Sequence, residues 1–418
     1  MRVIQVVVVL VWYGMQLVIR SGLAVLLGRR SRVSGISGDF LACVCERLGG
    51  AFLKAGQILS TRVDLFPSET ITALSRLRDN ANPVPFSLLG PALTPLVAET
   101  SNGSPVSITP SPLASATIAQ VHVGLLTDTQ QKVAIKVRRP GIERLLSTDV
   151  RYVRLSTRLV GRLPWIRQFP IMEATGEVCT ALLHQIDFRR EAEMLERFGR
   201  LFRDNPKVKV PLVFMDRCTD ELIVMEYLDG YRPIPTFRDD PELAKSAVLT
   251  GLRALYKMIF NAGLIHCDLH ASNILCNDEG RVALIDFGFV SVMTPKAKQD
   301  FSEFFLSIAF RDGKTAARIV RETAIRVGPK LDEMAFEKDM QSLVEKSAGR
   351  KAADFQVAGF VFELFQVQRR HGIYGSPHFT LPILSLLTYE GLIKDIYPDI
   401  DFQQEAVPFV IAALARNA

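Results

Sequence analysis

The sequence predicts an α/β chain of two lobes behind a helical extension, and three observations carry that prediction. Ile118 to Leu126 and Lys132 to Val137 read as paired strands around the polar turn Thr127-Asp-Thr-Gln-Gln131. From Pro241 onward apolar residues recur mostly at helical spacing. Within that helical half, His266-Cys-Asp-Leu-His-Ala-Ser-Asn273 is followed by a short strand, Val282 to Ile285, and then by Asp286-Phe-Gly288. A chain of 418 residues is too long for one minimal domain and suits two lobes with an added segment.

The first thirty residues are the most apolar. Val3 to Ile19 is interrupted only by Gln5 and Gln16, and Gly22 to Leu27 extends the run to the cluster Arg29, Arg30 and Arg32. This length lies at the lower edge of a membrane span, so residues 1–30 are expected to form a membrane-anchor or interfacial helix. The arginines keep the rest of the chain on the cytoplasmic or organellar-matrix side. A helix packed on the domain is the plain alternative. Phe40 to Leu59 has helical spacing up to the stop at Phe66-Pro67, and Ser68 to Arg78 predicts another helix, so residues 31–105 form a helical extension. Asn80 to Pro112, rich in Pro, Ser and Asn, reads as a connector with a helical stretch near Pro91 to Thr100.

A strand-bearing lobe, residues 106–230, comes next. After the hairpin, helices are predicted over Ile142 to Arg162 and Glu173 to Phe202, and Leu222 to Tyr227 reads as a strand. The helical lobe, residues 231–418, starts with Pro241 to Ala262 and continues through Lys296 to Phe310, Asp332 to Ala348 and Phe355 to Arg370. Hydrophobic residues at 48% against 22% charged exclude long disordered tracts, and a mean hydropathy of +0.18 leans toward membrane contact. The net charge of +6 comes without the aromatic–basic interleaving of a single-strand binder, so no nucleic-acid partner is expected. Six scattered cysteines indicate a reducing compartment; Cys43-x-Cys45 lacks the second pair a zinc site needs.

The loop and the Asp-Phe-Gly define a chemistry. A transferring phosphoryl group carries dispersed negative charge, so it needs hard oxygen ligands for Mg²⁺ and one carboxylate near the nucleophile. Asp268 has the spacing of that carboxylate, and Asn273 and Asp286 those of the metal ligands. Lys136 ends Val133-Ala-Ile-Lys, a strand lysine placed to pair ATP phosphates, and Glu191 is its best ion-pair partner. Met225-Glu226-Tyr227 before Leu228-Asp-Gly230 is where a hinge would present backbone to adenine. An isolated Asp-Phe-Gly is a common turn and a lone strand lysine is usually surface; their joint order sets this chain apart.

Lys54-Ala-Gly-Gln57, Arg62-Val-Asp-Leu-Phe-Pro67, Pro112-Leu-Ala-Ser-Ala-Thr-Ile-Ala-Gln120-Val-His122 and the kinase-type motifs in this order resemble the UbiB (AarF) family of atypical kinases over about Phe40 to Val410. The resemblance implies a two-lobed protein-kinase-like α/β fold whose extension lays Lys54 and Gln57 over the nucleotide. It implies ATP and Mg²⁺ as cofactors and a place in isoprenoid-quinone (ubiquinone) biosynthesis, with a membrane lipid or quinone precursor and biosynthetic proteins as partners. Ala114, Ser115, Ala116 and Thr117 stand where a glycine-rich loop would cradle phosphates, and lacking glycine they make a stiffer loop. Asp187 joins the metal ligands by the family's Glu-x-Asp pattern, here Gln185-Ile-Asp187. The family's Asp-Pro-His-Pro-Gly-Asn becomes Asp268-Leu-His-Ala-Ser-Asn273, keeping every ligand type. These departures leave a nucleotide-binding scaffold without turnover as one alternative. A soluble small-molecule phosphotransferase is another, but it has no reason to carry Lys54-Ala-Gly-Gln57 or the apolar start.

Overall fold

The computed structural model describes residues 2–28, 33–63, 65–77, 82–97, 105–162, 171–329, 331–347 and 357–415. The arginine cluster at 29–32, Asp64 and Arg78 lie outside them. Two compact units emerge, Met1–Glu193 with Val213–Tyr227, and Met194–Leu212 with Leu228–Ala418.

In the first unit α1 (Arg2–Leu26) is followed by α2 (Val33–Leu48), α3 (Gly50–Ser60), α4 (Ser68–Leu74) and α5 (Phe86–Val97). Val6, Val9 and Tyr13 of α1 pack on Val44, Leu48 and Phe40 of α2 and Phe52 of α3. The opposite side of α1 exposes Val8, Val11, Trp12, Met15 and Ile19. Ile4–Leu26 is the helix, among the described residues, long and apolar enough to cross a membrane, with only 6% of its most apolar window buried. Arg2 fastens its start: Nη2 lies 2.7 Å from Asp149 Oδ2, and Nη1 donates to the Leu48 carbonyl.

The expected single helix from Phe40 to Leu59 is two helices. Gly49 and Gly50 sit at φ +60° and +53°, a left-handed corner that glycine adopts without Cβ strain. The helical prediction near Pro91 starts earlier, at Phe86, and accommodates Pro91 and Pro95 inside α5.

The sheet of this unit holds β1 (Val106–Ile108), β2 (Ala114–Ser115), β3 (Ala119–Leu126) and β4 (Lys132–Arg138). Next come α6 (Ile142–Val160), α7 (Ile171–His184) and α8 (Phe188–Phe202), within which the chain passes into the second unit at Met194; β5 (Val208–Lys209) belongs to that unit, and the chain returns for β6 (Leu222–Glu226). The order is β1-β3-β4-β6 with β2 also on β3, all antiparallel. Leu89, Leu93 and Leu96 of α5 seal one face against Val133, Ile135, Val137 and Val224. Each such side chain, fully withdrawn from water, contributes about 1.5–3 kcal/mol. Glu173 to Phe202 also divides in two. Asp187 is the reason: its Oδ1 accepts from the Arg190 N–H and starts α8 anew.

The second unit contains β7 (Arg232–Pro233), α9 (Pro241–Tyr256) and a π-helical continuation over Lys257–Ala262. β8 (Leu264–His266), β9 (Ile274–Cys276), β10 (Val282–Leu284) and β11 (Val290–Val292) follow, then α10 (Pro295–Ala309), α11 (Gly313–Glu322), β12 (Ala324–Val327), α12 (Glu333–Ser347), α13 (Val357–Arg370), β13 (Ile373–Gly375), α14 (Pro377–Ile396) and α15 (Phe402–Ala415). The strands pair as β5-β10-β9-β7, β11-β8 and β12-β13. α9 and α14 meet at Gly251, where a Cβ would fall 2.2 Å from the Tyr389 hydroxyl; that hydroxyl donates to the Val248 carbonyl at 2.7 Å.

Candidate active site

Each unit carries half of the predicted chemistry. In the first, β4 is the central strand between β3 and β6, and Lys136 sits opposite Val121 and Ile223. Its Nζ lies 2.6 Å from Glu191 Oε1 and 5.6 Å from the centre of the Phe188 ring. With the lysine side chain 13% and the glutamate 6% exposed, this ion pair is shielded from solvent. Glu191 stands in the first turn of α8, where the helix dipole favours a carboxylate. The position of the lysine is thus fixed from fifty-five residues away.

Ala114 and Ser115 pair with Val121 and Gln120, and the Ala116 N–H closes the turn onto the Ala119 carbonyl at 2.9 Å. The Ser115 hydroxyl is engaged by Arg139 Nη2 at 2.7 Å. Thr117 is buried. Glu226 ends β6 opposite Val133, and the Tyr227 N–H reaches the Lys132 carbonyl.

Lys54 and Gln57 stand three residues apart on α3, which packs against α6 and α7. Gly56 between them has a steric function: a Cβ there would meet Leu77 Cδ1 at 2.5 Å and Cys45 Sγ at 3.0 Å. The Gln57 and Gln185 side chains each hold a buried Oε1 without a hydrogen-bond partner among the described residues.

Gln120 and His122 serve the scaffold. Gln120, fully buried, clamps both backbone groups of Val84, and His122 Nδ1 lies 2.9 Å from the Thr109 carbonyl.

In the second unit, backbone bonds fix the loop. The Asp268 N–H donates to His266 Nδ1 at 3.3 Å, and the Asp268 carbonyl accepts from the His270 N–H at 3.0 Å and from Asn273 Nδ2 at 2.8 Å. Asn273 Nδ2 also lies 3.2 Å from His270 Nε2, so the amide nitrogen is held from two sides. The Ile285 N–H donates to the Asn273 carbonyl, bringing Asp286 beside Asn273 along the β9–β10 pairing. Asp286 has φ +61°, a left-handed conformation costing about 1 kcal/mol or more, and its Oδ1 accepts from the Gly288 N–H.

Beneath the loop, the Phe287 ring is 4.7 Å from Phe198 and 5.2 Å from His266. His266 is fully buried. Burial lowers its pKa, and Asp268 and Asp286, which pull upward, only partly offset this, so the ring stays neutral. With Nδ1 accepting, the proton resides on Nε2. From α14 the Ser385 hydroxyl donates to the His266 carbonyl at 2.7 Å. Nothing in the sequence announces Ser385 or Phe198, because each acts through a contact distant in the chain.

Among the described residues no group of three His, Cys, Asp or Glu side chains forms a protein-only metal cage. Mg²⁺ is commonly held by one or two carboxylates, with phosphate oxygens and water completing the shell. The amide oxygen of Asn273 and the carboxylate of Asp286 are hard donors of this kind.

The model of the ABC1 atypical kinase-like domain matches residues 76–320, and that of the UbiB helical domain matches residues 340–401. A protein of Marinobacter nauticus named as probable protein kinase UbiB is 31% identical over 391 residues, covering 89% of this chain and 69% of its own. The Arabidopsis thaliana protein ACTIVITY OF BC1 COMPLEX KINASE 1, chloroplastic, is 29% identical, covering 94% and 58%. A solved Mycobacterium tuberculosis structure, Rv3197 in complex with erythromycin, shares the fold at a TM-score of 0.51 and 21% identity, covering 82% of this chain and 91% of that one.

Proposed function

The chain belongs to the UbiB family of ABC1 atypical kinase-like proteins, and from that premise we propose that it binds Mg²⁺-ATP and transfers or hydrolyses its terminal phosphate in support of isoprenoid-quinone lipid biosynthesis. Lys136, held by Glu191, neutralises the phosphates, and the backbone of Ala114 to Thr117 lies against them. Asp268 orients the attacking hydroxyl or water. Asn273 and Asp286 of the second unit hold Mg²⁺, and Asp187 is the further metal ligand that the family pattern implies. Glu226 and Tyr227 present backbone to the adenine, and Lys54 and Gln57 of α3 complete the nucleotide site. The acceptor is a membrane lipid or quinone precursor, reached with partner proteins while α1 holds the chain to the membrane on its ATP-containing side.

The observation that carries this reading is the 2.6 Å Lys136–Glu191 pair, a buried charge on a central strand. The deciding experiment is Mg²⁺-dependent ATP turnover, with and without liposomes, in the intact protein and in Asp286→Asn. The variant is expected to lose turnover while keeping its thermal midpoint, and unchanged turnover refutes the mechanism. Gln185, neutral and buried, favours a second reading, a scaffold that binds ATP without cleaving it. Thermal stabilisation by ATP with no phosphate release in the intact protein selects it.

A further inference from the structure

The exposed face of α6 has a composition that the nucleotide chemistry does not use. Arg151, Arg154, Leu155, Arg158 and Leu159 recur at helical spacings of three and four, Arg162 lies in the turn just past the end of the helix, and all six are exposed. Arg144 extends the same face toward the start of the helix. The other face, with Ile142, Leu146, Asp149 and Val150, is buried, and α6 packs on α3 and α7. No acidic residue occurs between Asp149 and Arg162. The acids nearby are accounted for: Asp149 is held by Arg2, Glu143 by Arg138 and Glu177 by Arg62, leaving Glu173 exposed on α7. The two leucines are 54% and 57% exposed amid the arginines.

We propose that this face of α6 is a second membrane contact, separate from α1, that docks on the headgroups of an anionic phospholipid bilayer. Arginines snorkel, laying aliphatic stems along the acyl boundary while their guanidinium groups meet phosphate, and the interleaved leucines reach the apolar layer. An acidic protein or a nucleic acid would match the arginines but leave two half-exposed leucines without purpose. The same unit carries the apolar α1, whose Arg2 is tied to Asp149 of α6. The inference rests on the proposed membrane attachment and is independent of whether ATP is cleaved.

The test is flotation of the full chain with vesicles of phosphatidylcholine alone or mixed with phosphatidylglycerol. The intact protein is expected to gain affinity on the mixed vesicles. Arg151→Gln/Arg158→Gln/Arg162→Gln should lose that gain, about fivefold for each arginine, while still binding phosphatidylcholine through α1. Arg154 stays in place because it also approaches the Cys179 thiol. Raising the salt concentration on the intact protein should erase the same gain, a check that needs no variant. A triple variant that binds mixed vesicles like the intact protein overturns the proposal, as does one that loses affinity for duplex DNA alone. An intact protein that ignores phosphatidylcholine but gains on phosphatidylglycerol refutes the α1 reading and leaves this one standing.

Discussion

Replacing Lys136 by methionine removes the cation 2.6 Å from Glu191 while keeping the aliphatic length of the side chain. Because the two side chains are only 13% and 6% exposed, solvent does not screen the loss as it would at the surface, where such a pair is worth about 0–1 kcal/mol. Removing one partner of a buried pair costs about 3–5 kcal/mol, since the remaining charge loses its counter-charge. For a unit of this size about 3 kcal/mol corresponds to a fall of roughly 6–12 °C in midpoint. The assay is thermal unfolding of Lys136→Met, Glu191→Leu and Lys136→Met/Glu191→Leu, followed by circular dichroism. The double variant exchanges the ion pair for an apolar pair, and we expect it to recover at least half of the loss of Lys136→Met. A fall below about 2 °C for Lys136→Met, or a double variant less stable than it, refutes the account of a buried, mutually dependent pair.

Gly251→Ala should cost about 2–3 kcal/mol by pushing Tyr389 off the Val248 carbonyl, and less in a Tyr389→Phe background; equal costs in both would show that the hydroxyl is not what the new methyl meets. Burial raises the Cys45 thiol to about 12, so at pH 8 its thiolate fraction is about one in ten thousand, and iodoacetamide followed by mass spectrometry should label the exposed Cys43 and spare Cys45. Arg2→Gln should speed proteolysis between α1 and α2 by releasing the helix start from Asp149, and an unchanged digestion rate would mean apolar packing alone holds α1.

The hairpin, the lysine strand and the Asp-Phe-Gly were legible because each depends on residues close in the chain. β3 and β4 form within a residue of the expected bounds, their alternation being a local consequence of one buried face. Helix breaks were harder to read. The apolar pattern runs through Gly49-Gly50 and through Gln185 to Asp187, and only the left-handed backbone of the first and the cap on α8 in the second divide the helices. Residue types and spacings singled out Lys136 and Glu191, which the first unit brings together, and Asp268, Asn273 and Asp286, which the second unit gathers along one loop and strand end. The Phe198–Phe287–His266 stack and the clamp from Gln120 to Val84 were invisible, because a hydrogen bond or ring contact between distant segments leaves no periodicity. Ser115 falls in the loop expected to cradle phosphates, and its hydroxyl accepts from Arg139, a partner the local sequence does not announce.

The hydroxyl of Ser385 reaches back 119 residues to hold the carbonyl of His266. One alignment point of the His266-to-Asn273 loop is therefore encoded in α14, within the region matched by the UbiB helical domain and past the end of the kinase-like match at residue 320. A shortened chain stopping there would keep every side chain assigned to phosphate or metal and lose this brace. Exchange of the helical region between relatives therefore carries this brace on the loop with it.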